Sequence, residues 1–147
     1  MKKIMVTILV AIIIITGIVL IKKSSKNIDE VLAQFEKHET DGYYYNNEAW
    51  AGYVVFNKTQ DGYRYGYVNY KGDILLEAEF NDIYRVMDIK DKDNVYIIAS
   101  KNGRYGVSRN GKTIINYEYQ YIDYNSRIEG FLLQKSENYG VANIKGK

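Results

Sequence analysis

Hydrophobic residues follow three successive patterns along the chain, and each pattern predicts a different element. The first is a run of 18 residues without a charge, Ile4 to Ile21, which as a helix would span about 27 Å, close to the thickness of a bilayer's hydrocarbon core. In the second, apolar residues recur at the helical spacing i, i+3, i+4 and i+7, at Ile28, Val31, Leu32 and Phe35. In the third, from Tyr43 onwards, short runs alternate apolar and polar residues, which is typical of half-buried strands.

Residues 1–27 are predicted to form an uncleaved transmembrane anchor. A signal peptide would have a shorter apolar region followed by a cleavage site of small residues, and the chain has no Cys for a lipid anchor. Lysines flank both ends of the run and would contact lipid headgroups. Charges on both sides nearly cancel the positive-inside preference, but the short N-terminal tail favours a cytoplasmic N terminus. We therefore expect a single-pass membrane protein with an extracytoplasmic C-terminal domain.

Residues 28–42 predict a short amphipathic helix and linker. Asn27 is the expected N-cap and Glu30 follows three residues later, as in a capping box. The apolar stripe would pack on the domain or lie along the membrane surface. His38, the single histidine, would lie in the last turn, where a solvated side chain is favoured because the sequence supplies no catalytic or metal-binding partner.

Residues 43–147 contain about two and a half copies of one unit. Three segments align, "YRYGYVNYKGD", "GRYGVSRNGKT" and "ENYGVANIKGK", and each has a Tyr-Gly pair followed by a second glycine. The pairs are Tyr65-Gly66, Tyr105-Gly106 and Tyr139-Gly140; the second glycines are Gly72, Gly111 and Gly146. The glycines of the pairs are 40 and 34 residues apart, a period that marks a repeat architecture.

Each unit is predicted to run strand, tight turn, short Tyr-Gly strand, tight turn, alternating strand. Tight β-turns are indicated where the sequence has Asp61-Gly62, Asn102-Gly103 and Asn110-Gly111. Apolar residues alternate after Gly72 and again after Gly111. The prediction is an all-β domain, an open stack of antiparallel hairpin and meander repeats, preceded by the transmembrane helix and the amphipathic helix.

The stretch "GVSRNGKT", Gly106 to Thr113, matches the spacing of a phosphate-binding P-loop. That mechanism needs a helix beginning at the Lys, whereas "TIINYEYQY" follows with the alternation of a strand. The equivalent turn of the first repeat lacks the Lys-Thr pair. We therefore predict no nucleotide binding and a conformational role for these glycines.

The units resemble the WG repeats, also called KWG repeats, of bacterial proteins. The resemblance covers residues 53–147 and includes the aromatic-Gly pair, the Lys-Gly or Asn-Gly turn, and the segments "FNDIY" and "YQYID". Here Tyr replaces Trp, and the usual Pro before the last segment is missing. The resemblance implies an all-β interaction array, with blades like those of an incomplete propeller, and it implies no mechanism.

Two and a half units are too few to close a ring, so an exposed sheet edge is expected. Natural edges are usually protected, and lysines near the C terminus would blunt this one. The other interpretation is self-association, or addition of another partner strand, at this edge.

Charge and composition exclude several functions. Residues 28–147 carry 15 basic and 18 acidic side chains, which argues against nucleic-acid binding. The chain has no Cys and one His, so it lacks the residues that a catalytic triad with Cys or a zinc site needs, and no motif indicates a nucleophilic Ser. The acidic segment "DIKDKDN" has Val95 where a calcium loop would need a ligand. The prediction is therefore a protein without metal, cofactor or catalytic residues.

The tyrosines allow two interpretations. Tyr117, Tyr119 and Tyr121 follow the apolar register, which favours core and cross-strand positions. The better candidate interaction surface lies outside the repeats, at Tyr43, Tyr44, Tyr45 and Trp50. The expected function is a membrane-anchored, non-enzymatic protein that presents a protein-interaction surface. The alternative is a module that binds cell-wall carbohydrate or peptidoglycan, and less favoured is a hydrolase with a carboxylate pair that sequence spacing does not reveal.

Overall fold

The computed structural model describes residues 27–40, 52–89 and 94–147, which form one helix and eleven strands. The helix is α1 (Ile28–Leu32), and the strands are β1 (Lys37–Thr40), β2 (Gly52–Thr59), β3 (Gly62–Asn69), β4 (Ile74–Phe80), β5 (Asp82–Asp88), β6 (Val95–Lys101), β7 (Arg104–Arg109), β8 (Lys112–Tyr119), β9 (Tyr121–Asn125), β10 (Gly130–Lys135) and β11 (Asn138–Asn143). In these residues no helix combines the length and the apolar character that a membrane crossing needs. The predicted span Ile4 to Ile21 lies outside the described residues.

The strands form three antiparallel sheets in which neighbours along the chain pair with each other. The first sheet contains β1 to β4, the second β5 to β8 and the third β9 to β11. This confirms the all-β class. The segments "FNDIY" and "YQYID", which end the sequence units, cross from one sheet into the first strand of the next.

The sheets pack face to face through separate hydrophobic clusters. Tyr67 and Phe80 of the first sheet pack against Ile97 of the second. On its other face the second sheet packs Ile98 against Phe131 of the third. Because the second sheet is covered on both sides, β6 is buried at nearly every residue instead of at every other one.

The helix α1 covers the remaining face of the first sheet. Its Val31 and Leu32 are buried against Val55 and Val68. The apolar stripe of the helix was predicted either to pack on the domain or to lie along the membrane surface, and in the structure it packs on the domain. The predicted N-cap is also confirmed, because the Asn27 side chain accepts a hydrogen bond from the Asp29 N–H at 3.1 Å.

The helix is shorter than predicted. It ends at Leu32, and the chain then forms β1, in which His38 lies opposite Val55 of β2. Glu36, directly before β1, fixes the chain to β2. Its N–H donates to the Asn57 side chain, and its carboxylate accepts from the Lys58 N–H. The prediction that His38 lies in the last helical turn was wrong, because pairing with β2 satisfies the backbone of an edge strand that local periodicity could not identify.

The Tyr-Gly glycines allow the fourth strand of a sheet to bulge. Between the pairs Tyr65↔Phe80 and Tyr67↔Leu76, β3 has one residue, Gly66, where β4 has three. A Cβ atom at Gly66 would lie 2.5 Å from the Leu76 carbonyl oxygen. The same shift occurs where β8 passes Gly106. Glycine is therefore required by the close approach of the bulged strand.

The second glycine of each repeat lies in the turn after the Tyr-Gly strand. Asn110 and Gly111 have φ angles of 47° and 79°, which is the conformation of a type I′ hairpin turn. A Cβ atom at Gly111 would lie 2.9 Å from the Leu75 carbonyl oxygen, and one at Gly146 would collide with the equivalent Ile114 oxygen. Each of these turns thus packs on the fourth strand of the preceding sheet. The stretch Gly106 to Thr113 is strand, turn and strand, without the helix N terminus that a P-loop uses.

Candidate interaction surfaces

The third sheet differs from the first two at its last strand. Gly66, Gly106 and Gly140 occupy equivalent positions, opposite Val55, Ala99 and Leu133 of the preceding strands. Tyr139 and Val141 of β11 therefore correspond to Tyr105 and Val107 of β7. In the second sheet β8 pairs with β7 on the far side. Among the described residues, no strand pairs with the far side of β11.

The outer face of the third sheet exposes two large side chains, because Phe131 and Ala142 of the third sheet cover Val107 of the second, whereas the described residues place no further sheet on the third. Val107 is 0% exposed, whereas Val141 is 67% exposed and Tyr139 is 79% exposed. A Cβ atom at Gly140 would find no atom within 4 Å, in contrast to Gly106. Leu132 of β10, opposite Val141 in the register, is also 38% exposed. We call this face, with Leu132, Tyr139 and Val141, together with the adjoining outer edge of β11, the open end.

The turn after β11 has the geometry that begins a fourth strand. The Asn143 N–H donates to the Lys147 carbonyl oxygen at 2.8 Å, as the Asn69 N–H donates to that of Asp73 at 2.9 Å in the first sheet. The Asn143 and Asn69 side chains each accept two further backbone hydrogen bonds within their turns. The fourth strand β4 follows directly after Asp73. The turn that follows β11 therefore has the same backbone hydrogen bonds as the turn between β3 and β4.

Polar contacts between sheets also repeat. Lys101 lies 2.8 Å from Glu79, and Lys135 lies 2.6 Å from Glu118. The same two ammonium groups lie over aromatic rings, Lys101 over Phe80 and Lys135 over Tyr119. The hydrogen bond and the charge of Lys101 lower the pKa of the Glu79 carboxyl. These contacts join the fourth strand of one sheet to the second strand of the next.

A second candidate surface is a group of three tyrosines, which we call the tyrosine cluster. The ring centroid of Tyr84 lies 5.9 Å from that of Tyr105 and 6.5 Å from that of Tyr121. Tyr84 lies at a β-bulge, a feature that redirects a side chain. Beside the cluster, Arg85 of the second sheet lies 2.6 Å from Asp123 of the third.

Tyr121 does not have the core position that the apolar register indicated. It is 42% exposed, whereas Tyr117 and Tyr119 pack against the two core clusters between sheets. Partial desolvation, followed by the Asp123 charge and the contact with Tyr84, raises the pKa of Tyr121. The alternation of apolar residues predicted the wrong position for Tyr121, because the chain passes from the second sheet to the third between Tyr119 and Tyr121.

The polar side chains that line a cleft between turns form hydrogen bonds to the backbone. A shallow cleft of about 330 Å³ is lined by turn residues, including Asn69 and Asn110, whose side chains accept backbone hydrogen bonds. Across the residues that the structure describes, no group of three or more His, Cys, Asp or Glu side chains could hold a metal ion. The predicted surface at Tyr43, Tyr44, Tyr45 and Trp50 lies outside the described residues.

The sequence singled out Tyr139 and Gly140 as repeat residues but missed Leu132 and Val141 as surface residues. Comparison with family models, with curated proteins and with solved structures gives no match to this chain.

Proposed function

We propose that this chain is a membrane-anchored, non-enzymatic β-repeat protein whose open end binds a protein partner. The observation that carries the proposal is the exposure of Val141, 67%, against 0% for its counterpart Val107. The resemblance to WG repeats and the uncharged run Ile4 to Ile21 support the class and the anchor.

The chemistry of the open end favours an extended segment of a partner. An unpaired strand edge offers backbone N–H and C=O groups to an added strand, and the neighbouring side chains select it. Full burial of Tyr139 or Val141 would contribute on the order of 2 kcal/mol each. The partner segment would alternate apolar and polar residues, as β4 does with Leu76 and Phe80 buried and Glu77 and Glu79 exposed.

A labelled peptide with the β8 sequence, residues 112–119, tests the proposal. We expect it to bind the full-length protein in detergent micelles, with fluorescence anisotropy that saturates on titration. Val141→Lys should weaken binding at least tenfold, because a charge would replace the apolar side chain that packs against its cross-strand neighbour on the added strand. Tyr70→Lys, at a residue 39% exposed in a turn of the first sheet, is the matched control. Absence of binding, or equal loss in both variants, would contradict the proposal.

The tyrosine cluster favours a second candidate function, binding of cell-wall glycan. Tyr84 is 41% and Tyr121 42% exposed, and partly exposed aromatic rings beside charged groups are suited to contacts with sugars. Retention on purified cell wall that is lost in Tyr84→Ala/Tyr121→Ala but kept in Val141→Lys would support it. Trp50→Ala tests the aromatic surface predicted from the sequence in the same assay.

A further inference from the structure

We propose that Tyr84 and Tyr121 form a site of oxidative modification, at which peroxide and a peroxidase join the two phenol rings into dityrosine. The new bond would link the second sheet to the third through two side chains. It would do so without any residue of the open end, so this inference is independent of the protein partner proposed above.

The two rings have the arrangement that such a reaction needs. Their centroids lie 6.5 Å apart and their planes are inclined by 63°. Partial desolvation, the Asp123 charge and the contact with Tyr84 raise the pKa of Tyr121, so the hydroxyl ends of the two tyrosines are neighbours. The carbon atoms that form the bond in dityrosine are those next to the hydroxyl group, and they lie at these ends.

The strands that carry the two tyrosines are held together beside them. Arg85, which follows Tyr84 in β5, lies 2.6 Å from Asp123, which is two residues after Tyr121 in β9. The ion pair fixes the two backbones, and the partly exposed rings keep the rotational freedom to bring their edges into contact. Reacting groups held at this separation combine as if at high concentration.

Both rings are accessible to an oxidant because of their places in the sheets. Tyr84 is 41% exposed although the second sheet is covered on both faces. Tyr121, opposite Gln134, has the place in the third sheet that Asp82, opposite Ser100, has in the second. Asp82 is exposed even though the third sheet packs on the second, so packing of a sheet on a neighbour leaves this place open.

Tyr105 is also a neighbour of Tyr84 but a poorer partner for coupling. The two ring centroids lie 5.9 Å apart, yet Tyr105 packs against the hydrophobic cluster between the second and third sheets. Close packing restricts the rotation that would bring its reactive carbon to Tyr84. We therefore expect the bond to form between sheets, from Tyr84 to Tyr121, and not within the second sheet.

The reaction balances with hydrogen peroxide as the oxidant. Each phenol loses its hydroxyl proton and one electron, and the two radicals form a carbon–carbon bond between the ring positions next to oxygen. The hydrogen displaced from each ring carbon then moves to oxygen, which restores both aromatic rings and both hydroxyl groups. The peroxide takes up two protons and two electrons and becomes two molecules of water.

Peptide mapping tests the proposal on the full-length protein in detergent micelles. The protein is treated with a haem peroxidase and limiting hydrogen peroxide, and the monomer band is digested with trypsin, which cuts after Lys and Arg. Tyr84, Tyr105 and Tyr121 then lie in three different peptides, residues 72–85, 105–109 and 113–127. We expect a product in which 72–85 and 113–127 are joined with the loss of two hydrogen atoms, together with dityrosine fluorescence.

Substitutions by Phe identify the tyrosine within the third peptide, and they keep the ring. Tyr121→Phe should lower the yield of the joined product at least tenfold, whereas Tyr119→Phe, in the same peptide, should leave it unchanged because Tyr119 packs against the core. Tyr139, which is 79% exposed, tests whether exposure alone directs the reaction, and its yield of cross-linked peptide within the monomer should be about tenfold lower, since proximity gives the advantage.

Three results would overturn the proposal. They are a joined product that persists in Tyr121→Phe, a link from 72–85 to 105–109 in place of 113–127, and an equal yield at Tyr139. Retention on cell wall through Tyr84 and Tyr121 without any joined product would leave the glycan site standing and exclude the cross-link.

Discussion

The ring of Tyr117 occupies the space that a side chain at Gly106 would need. A Cβ atom at Gly106 would lie 2.6 Å from the Tyr117 Cδ1 atom and 2.9 Å from the Ile115 carbonyl oxygen. Tyr117 in turn packs on Phe80 of the first sheet, with ring centroids 5.2 Å apart. The Tyr-Gly pair of the second repeat therefore helps to position the contact between two sheets.

Gly106→Ala should lower the free energy of unfolding by about 1–3 kcal/mol, because the added methyl group overpacks this contact. Urea unfolding of the full-length protein in detergent, followed by the near-ultraviolet circular dichroism of its tyrosines, measures the change. Gly140→Ala is the control, since nothing lies within 4 Å of that Cβ position, and it should change stability by less than about 0.5 kcal/mol. Equal effects of the two substitutions would refute the steric explanation.

Tyr117 should make stability fall at alkaline pH. Burial raises the pKa of its hydroxyl to about 12. Below pH 10 both folded and unfolded states keep the proton, so the stabilising contribution is complete. Between pH 10 and about 12 the unfolded state loses a proton that the folded state keeps, so the free energy of unfolding decreases as pH rises.

Tyr117→Phe should reduce this alkaline decrease. At neutral pH it should change stability by less than about 1 kcal/mol, because neither the Tyr117 nor the Ser108 hydroxyl has a hydrogen-bond partner in the described part of the chain. Urea unfolding at pH 7 and at several values above pH 10 measures both effects. A Phe variant with the slope of the wild type would contradict the assignment to Tyr117.

The ion pair between Lys135 and Glu118 should contribute little to stability. Both side chains are about half exposed, and exposed pairs contribute roughly 0.2–1 kcal/mol. A double-mutant cycle with Lys135→Met and Glu118→Gln should give a coupling energy in this range, and 1 M salt should reduce it. Met keeps an apolar stem over Tyr119, so the cycle separates charge from packing. A coupling above about 2 kcal/mol that resists salt would refute the expectation.

Topology is testable through a single introduced thiol. Ser136→Cys places a reactive group in the exposed turn between β10 and β11, and a membrane-impermeant maleimide reports its side of the membrane. We expect labelling on intact cells, since the short N-terminal tail favours an extracytoplasmic domain. Labelling only after lysis, with the protein still in the membrane, would place the repeats in the cytoplasm and exclude the cell wall as a ligand.

Much of the local structure was predictable from sequence. The Asn110-Gly111 turn, the Asn27 cap and the alternation from Ile74 to Phe80 all follow from backbone preferences and side-chain periodicity, which act within a few residues. The strand after Lys112 was likewise predictable, because a period of two excludes the helix that the P-loop spacing would need.

The sequence did not predict β1 or the exposure of Tyr121. The chain from Lys37 to Thr40 becomes a strand because β2 offers an edge to it. Tyr121 is exposed because the chain changes sheets just before it. Both outcomes depend on segments distant in sequence, so local patterns carried no signal for them.

By itself, then, the sequence determined the all-β class, the repeat and its turns, because each depends on interactions between neighbouring residues. Only the tertiary structure decided which strand of each repeat ends a sheet, and which apolar residues stay exposed. Tyr105 and Tyr139 occupy the same place in their repeats, yet in the described structure only Tyr105 has a fourth strand beside it and a following sheet packed over it. The burial of a side chain depends on which strands and sheets pack against it, and the local sequence around the residue does not specify them.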